Sequence, residues 1–252
     1  MDWITPDWPV PSWIKAVSTT RTGGVSRQPF DSMNLGTHVD DDIGDVISNR
    51  VRLADVMCMP SAPSWLNQVH GTNVVTLPLS ETHRVPDADA SFSAEQGQVC
   101  VVMTADCLPV LFCNKDGTEV AAAHAGWRGL VNGVLEETLT NFSDPKNVMA
   151  WLGPAIGADE FEVGSEVREQ FMAVDPGSEI AFKPHNDRWL ADIYLLAKRR
   201  LALAGVSEVY GGTYCTVSEP ERFYSYRRES RTGRQASCIW MISESGDNKF
   251  TK

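Results

Sequence analysis

The sequence predicts an α/β fold, namely a single compact mixed-sheet α/β sandwich over residues 1–242. Segments of strand and helix character are interleaved without a regular βαβ rhythm, which favours a mixed sheet over a doubly wound parallel one. No Pro/Gly/Ser-rich linker or charge run divides the chain. Its 252 residues are 42% hydrophobic, which is enough for one large core. The polar segment 243–252 is expected to be a frayed tail.

In the first half of the chain, apolar side chains at helical spacing predict a helix over 44–58 that ends before Pro60. The residues expected to face the core are Ile47, Val51, Ala54 and Cys58. Apolar and β-branched runs predict five strands: 65–70, 73–77, 98–104, 109–113 and 119–124. The last two flank residues 114–117, whose sequence Asn-Lys-Asp-Gly is typical of a hairpin turn.

In the second half, apolar residues from Val131 to Phe142 recur at helical spacing and predict an amphipathic helix. Further helices are expected over 165–171 and 190–204, the second ending at Gly205. Four more strands are predicted: 147–152, 208–210, 213–217 and 236–242.

Composition excludes some classes of partner. The formal net charge of −11 disfavours nucleic acid and anionic membrane surfaces, so neither is expected to bind. The longest strongly apolar stretch, 99–103, is far too short to cross a bilayer. The amino-terminal residues lack the basic and apolar segments of a secretory signal, and the six cysteines show no paired spacing. A cytoplasmic location is therefore expected.

Three residues with metal-binding side chains each lie at the end of a predicted strand: His70, Cys107 and His124. Because strand ends meet at one edge of a sheet, we expect these side chains to converge. Two imidazoles and a thiolate leave a fourth position open, as in a catalytic zinc site, although the set also suits copper. Asp106, next to Cys107, is a candidate for orienting a ligand or moving a proton. Asp89 precedes a strand, where turn capping is the ordinary role.

Arginines are concentrated near the carboxyl end. Residues 221–234 contain five arginines and two glutamates, a local excess of positive charge in an acidic chain. Such a segment is either a solvated loop or a site for phosphate or carboxylate, which guanidinium groups bind in pairs. Arg21 lies just before a Gly-Gly turn and is a further candidate. The candidate phosphate-binding residues are Arg21, Arg128, Arg227, Arg228 and Arg234.

Several blocks of sequence, taken together, resemble a known family. They are Ser18–Ser26, Asn34-Leu35-Gly36, Asn67–Gly71, Thr104–Pro109, His124–Gly129, Gly153–Gly157, Ser225–Arg228 and Thr232–Gln235. These blocks are similar to those of the purine nucleoside phosphorylase family once labelled polyphenol oxidase or laccase-domain proteins. The resemblance runs from about residue 18 to 240. One departure is Phe161, where the family pattern leads us to expect a tyrosine.

The resemblance implies that His70, Cys107 and His124 bind zinc at the active site. It also implies a fold similar to the catalytic domain of the cytotoxic necrotizing factors. The implied activity is phosphorolysis of adenosine, inosine and methylthioadenosine with phosphate, together with adenosine deamination. Some members of the family are described as copper-dependent polyphenol oxidases and others as peptidoglycan editing factors.

The residues bear on these alternatives. A zinc-bound water can attack the purine C6 in deamination, and arginines can hold phosphate near the sugar C1′. A hydrolase with Cys107 as nucleophile and His124 as base is a second enzyme class. A multicopper oxidase is disfavoured, because the chain has five histidines, and at most a mononuclear copper fits. A zinc-stabilised interaction module would need four protein ligands, and three good candidates are found.

Overall fold

A computed structural model describes residues 1–79 and 84–243 of the chain. The strands are β1 (Trp3–Ile4), β2 (Ile14–Thr19), β3 (Val74–Thr76), β4 (Ala90–Ser93), β5 (Val99–Thr104), β6 (Leu108–Asn114), β7 (Val120–Ala125), β8 (Val148–Leu152), β9 (Glu162–Val163), β10 (Phe182–His185), β11 (Arg188–Ala191), β12 (Glu208–Gly211) and β13 (Gln235–Met241). The helices are α1 (Ile43–Val56), α2 (Trp127–Asn132), α3 (Val134–Leu139), α4 (Ser165–Val174), α5 (Ile193–Leu203) and α6 (Tyr226–Glu229). The predicted tail beyond residue 243 lies outside the described residues.

The strands form two large sheets and one small one. A four-stranded antiparallel sheet has the order β1-β2-β13-β5, and a six-stranded sheet has the order β12-β8-β6-β7-β4-β3. In the six-stranded sheet, β3 pairs with β4 and β12 with β8 in parallel, whereas the other pairs are antiparallel. The prediction of a mixed-sheet α/β fold is therefore confirmed.

Apolar packing arranges these elements in four layers. The two large sheets pack face to face through residues such as Val102, Leu111 and Ile239. The outer face of the four-stranded sheet packs against α1, which contributes Leu53. The outer face of the six-stranded sheet is covered by α2 to α5. Because β5, β6 and β7 have apolar layers on both faces, every residue in these three strands is buried.

The first helix forms close to its predicted bounds but presents a different face to the core. Asp42 caps its amino terminus by accepting hydrogen bonds from the backbone of residues 44 and 45. Val46, Asn49 and Leu53 are buried, whereas Ile47 and Val51 are more than half exposed. The predicted inward-facing set was therefore wrong. The buried Asn49 donates to the carbonyls of residues 32 and 34 at 3.1 and 2.9 Å, so a polar residue occupies the core-facing stripe.

Other segments also differ from the sequence-based predictions. Residues 65–70 are not a strand: this segment has a single isolated bridge, Asn67 to Asp87, while residues 213–217 form no strand. The helix expected from residue 190 begins at Ile193, because Leu190 belongs to β11. The small sheet of β9, β10 and β11 was not predicted. Among the described residues, no helix is long and apolar enough to cross a membrane.

The helix predicted from Val131 to Phe142 is instead the pair α2 and α3, divided at Gly133. Gly133 has φ of 100°, a left-handed conformation that closes α2 and opens α3. An added Cβ there would lie 3.5 Å from Nη2 of Arg200 and 3.6 Å from Oε2 of Glu136, so space is available. The break is therefore required by backbone conformation and not by crowding.

Replacing Gly133 with alanine is expected to lower the free energy of unfolding by about 1–2 kcal/mol, because an L-residue is strained at positive φ. Urea unfolding measures the change. Gly133→Asn is the internal control, since asparagine adopts this conformation more readily, and it should lose less stability. Equal losses for both variants would show that backbone conformation does not set the cost.

Candidate metal centre

Three side chains that are distant in sequence meet at one edge of the six-stranded sheet. His124 lies in β7, Cys107 immediately precedes β6, and His70 lies on the segment before β3 with φ of 59°. One ligand atom from each lies within 4.8 Å of the other two. The Sγ of Cys107 is 3.8 Å from the Nε2 of His70. The two imidazole rings meet edge to face, with centroids 4.8 Å apart.

This arrangement fits a tetrahedral metal ion. A nitrogen and a sulfur bound to one tetrahedral zinc lie about 3.6 Å apart, given ordinary zinc–ligand distances. The observed 3.8 Å between Cys107 and His70 is close to that separation. With three protein donors, the fourth position is free for water or substrate. The three residues can therefore hold a metal ion, and the donor set suits zinc or copper.

A buried carboxylate positions two of the three candidate ligands. Asp89 is fully buried, and its Oδ1 lies 2.8 Å from Nδ1 of His124. The same carboxylate accepts hydrogen bonds from the backbone N–H groups of Val69, His70 and Gly71, at 3.2, 3.0 and 2.7 Å. A protonated Nδ1 facing Asp89 leaves Nε2 of His124 as the donor to a metal. Asp89 therefore sets the ring orientation of one ligand and the backbone of another.

Sequence reasoning gave Asp89 only a capping role. The residue does hold backbone N–H groups, as that role requires, but they belong to the distant segment that carries His70. Its link to His124 arises because Asp89 directly precedes β4, which pairs with β7, and the backbone N–H of His124 donates to the carbonyl of Asp89 at 2.7 Å. Predicting this link would have required the register of β4 with β7, which the sequence does not give.

The charges at this centre favour the thiolate form of Cys107. Burial alone raises the pKa of the thiol, but His124 and His70 beside it outweigh that effect and lower the pKa below its ordinary value. Burial on its own would lower the pKa of His124, but Cys107 and Asp89 outweigh that effect and raise the pKa above its ordinary value. The thiolate is the form of cysteine that binds metals, so these surroundings favour the metal-binding form of Cys107.

A cavity of about 360 Å³ opens onto the three residues. Besides the triad, its wall includes His38, Gln68, Met103, Thr104, Tyr226 and Arg234. Of these, Arg234 was predicted from sequence, whereas His38 and Thr104 were not. His38 follows the Asn34-Leu35-Gly36 block, but nothing local indicated that this block lies against the carboxyl-terminal arginine segment.

The structure separates the predicted arginines. Of the five, Arg234 is the one found among the residues that line this cavity. Arg21 binds Glu229 at 3.1 Å, and Arg228 donates to backbone carbonyls, including that of Thr216 at 2.6 Å. Arg227 donates to the carbonyl of Glu162 at 3.1 Å. These three guanidinium groups therefore link distant segments of the chain and have a structural role.

The remaining predicted residues have the following surroundings. Arg128 is exposed and lies over the ring of Trp127 at 4.5 Å. Phe161, at the position where a tyrosine was expected, is buried in the core beneath the helices. Asp106 has φ of 88°, and its two oxygens accept hydrogen bonds from the Thr216 hydroxyl and the Arg227 backbone, each at 2.6 Å. It therefore anchors the start of α6 beside Cys107.

Fold and site together define an α/β protein of four layers with a candidate His₂Cys metal centre in the wall of a cavity. A family model described as multi-copper polyphenol oxidoreductase laccase matches residues 15–242. The chain belongs to this family.

Relatives and solved structures agree with that assignment. A purine nucleoside phosphorylase of Escherichia coli (strain K12) is 58% identical over 240 residues, covering 95% of this chain and 98% of the relative. A purine nucleoside phosphorylase of Pseudomonas aeruginosa is 54% identical over 242 residues, with 95% and 98% covered. The crystal structure of a Neisseria meningitidis protein is 47% identical, covers 96% of this chain and 100% of that one, and has a TM-score of 0.91. The expected likeness to the cytotoxic necrotizing factors stays a prediction.

Proposed function

We propose that this protein is a metal-dependent purine nucleoside phosphorylase. The proposal is carried by one observation: a cavity holds a His₂Cys set and a guanidinium group together, in a chain 58% identical to a protein named for this activity. The cavity volume of about 360 Å³ suits a small molecule such as a nucleoside with phosphate. The proposed substrates are adenosine, inosine and methylthioadenosine.

In phosphorolysis, a phosphate oxygen forms a bond to C1′ of the ribose while the bond from C1′ to the purine nitrogen breaks. The electron pair of the broken bond stays on the base, which takes up a proton, and the products are free base and ribose 1-phosphate. Arg234 supplies positive charge for the phosphate, and the cavity wall holds the two reactants in contact. Asp89 keeps His124 oriented throughout.

We propose His70, Cys107 and His124 as the metal ligands, and zinc as the metal. When bound, zinc supplies Lewis-acid chemistry and a water of lowered pKa. A second proposed activity is adenosine deamination, in which water replaces the 6-amino group by hydroxyl and ammonia is released. Asp106 stays in the proposal as a positioning residue, since both of its oxygens bind protein groups beside Cys107.

Incubating the metal-loaded protein with adenosine and inorganic phosphate is expected to yield adenine and ribose 1-phosphate. Chromatography of the bases separates adenine, the phosphorolysis product, from inosine, the deamination product. Omitting phosphate should stop adenine release and leave inosine formation intact. Removing the metal with a chelator should abolish both activities, and zinc should restore them better than copper.

Two other outcomes would replace the proposal. Release of sugar or peptide from muropeptides, with no action on any purine nucleoside, would favour a hydrolase in which Cys107 attacks and His124 is the base. Oxidation of a catechol that depends on added copper would favour a mononuclear copper oxidase.

A further inference from the structure

Arg234 is a largely buried cation for which no carboxylate partner is found among the described residues. Its Nη1 donates to the carbonyls of Thr232 and Gly233 at 3.1 and 2.9 Å, and no hydrogen bond is found for Nε or Nη2 within that part of the chain. Burial lowers its pKa. The buried Arg200, by contrast, has an ion-pair partner in Glu136 at 2.6 Å. The charges of Cys107 and Asp106 act on Arg234 without forming an ion pair with it. A guanidinium that is largely removed from water and lacks an ion-pair partner is costly, so this group can accept an anion from outside the chain.

A second cation lies behind the same wall. Arg50 stacks on the ring of Trp65 at 3.8 Å and contacts the sulfur of Met103, a cavity residue, at 3.7 Å. Among the described residues it too has no carboxylate within ion-pair distance. Burial lowers the pKa of Arg50 to about 10, so the group stays charged at neutral pH.

His38 lines the same cavity and is close enough to both cations for their charges to act on it. Burial, and then the charges of Arg234 and Arg50, lower the pKa of His38. A neutral imidazole at this position can donate one hydrogen bond to an anion without adding charge. The side-chain amide of Gln68, also in the cavity wall, is already used within the fold. It exchanges hydrogen bonds at 2.8 Å with the backbone N–H and carbonyl of Met103.

Thr104 adds an uncommitted hydroxyl to the same wall. Thr104 lines the cavity and is 2% exposed, and within residues 1–79 and 84–243 no hydrogen-bond partner is found for its Oγ1. Buried hydroxyls nearly always have a partner, so an unpartnered one beside a cavity indicates a ligand or water.

From these observations we infer that Arg234, His38 and Thr104 form the phosphate-binding subsite of the cavity, with Arg50 as a second positive charge behind it. The inference deepens the proposed phosphorolysis and rests on it. Among the described residues, the cavity wall includes no aspartate or glutamate that would repel a dianion. The triad of His70, Cys107 and His124 then faces the nucleoside.

The local backbone fixes this subsite. The side-chain oxygen of the buried Asn34 accepts hydrogen bonds from the backbone N–H groups of Gly36 and Arg234, both at 2.9 Å. An added Cβ at Gly36 would lie 2.7 Å from Cγ of Arg234. Gly36 is therefore a positioning residue, because a larger side chain there would displace the Arg234 side chain.

The test measures phosphorolysis of inosine by the metal-loaded full chain, varying phosphate at saturating inosine and then inosine at saturating phosphate. Arg234→Gln and His38→Gln are each expected to raise the KM for phosphate about tenfold or more, with the KM for inosine changed by less than about twofold. Thr104→Val should raise the KM for phosphate about threefold or more without lowering the stability of the fold, and Thr104→Ser should restore it. Metal content is measured for every variant.

Arg188→Gln is the matched control, because Arg188 is an exposed arginine on β11 outside the cavity wall. Calorimetric titration with inorganic phosphate alone separates this inference from the proposed function. If the wild-type protein binds phosphate and Arg234→Gln does not, the subsite stands even if no nucleoside is cleaved. If phosphorolysis proceeds and all three substitutions leave the KM for phosphate unchanged, the subsite assignment is overturned.

Discussion

Replacing Cys107 with alanine is expected to remove the bound metal and to lower phosphorolysis by about 1000-fold or more. The thiolate is the one anionic donor of the set, and its loss leaves two neutral imidazoles, which bind a divalent ion weakly. A metal supplies several kcal/mol of transition-state stabilisation, which corresponds to a loss of this size. Elemental analysis of the purified variant and the inosine assay measure the two effects.

Cys58→Ala is the control for this substitution, because Cys58 is exposed and is not among the residues that line the cavity. It should retain full metal content and activity. A Cys107→Ala protein that still carries one metal per chain would refute the ligand assignment. One that loses its metal yet keeps full activity would show that the chemistry does not need the metal.

Replacing Asp89 with asparagine is expected to weaken metal binding about 10- to 100-fold, the range typical of residues that orient a metal-binding histidine. The variant should also lose about 2–3 kcal/mol of unfolding free energy, because four donors converge on this buried carboxylate. An asparagine offers one oxygen and places N–H groups against N–H donors. Competition with a zinc-binding dye measures the affinity, and urea unfolding of the metal-free protein measures the stability.

Asp87→Asn is the matched control, since Asp87 lies two residues away, accepts one hydrogen bond from Asn67 at 2.7 Å and is not among the cavity residues. It should change neither quantity by more than the error of measurement. If Asp89→Asn binds zinc as tightly as the wild type, the carboxylate does not orient His124. If only stability falls, its role is confined to the backbone of residues 69–71.

The sequence predicted those features of the fold that depend on local pattern. The apolar runs of β5, β6, β7, β8 and β13 were recognised because buried strands are continuous and hydrophobic. The ligand triad was predicted because each member follows or ends such a run, and its convergence in space is confirmed. The local pattern misled where a polar residue is buried: Asn49 faces the core of α1 through hydrogen bonds to distant carbonyls.

Features that depend on long-range contact were not predictable. Asp89 and His124 are 35 residues apart and meet only through the register of β4 with β7. Local sequence does not distinguish the five candidate arginines from one another. Their partners in the fold do, such as Glu229 for Arg21 and the carbonyl of Thr216 for Arg228. Gly133 is tolerated in a helical pattern, so its left-handed conformation could not be read from spacing alone.

The arrangement of the centre on neighbouring strands also bears on how the chain finds its native state. Asp89 precedes β4, His124 lies in β7 and Cys107 precedes β6, and these strands are adjacent in the order β6-β7-β4. A slip of one residue between β4 and β7 would turn His124 to the opposite side of the sheet and part it from Asp89. Binding of the proposed metal ion would therefore stabilise only the correctly aligned sheet and would favour the native register during folding.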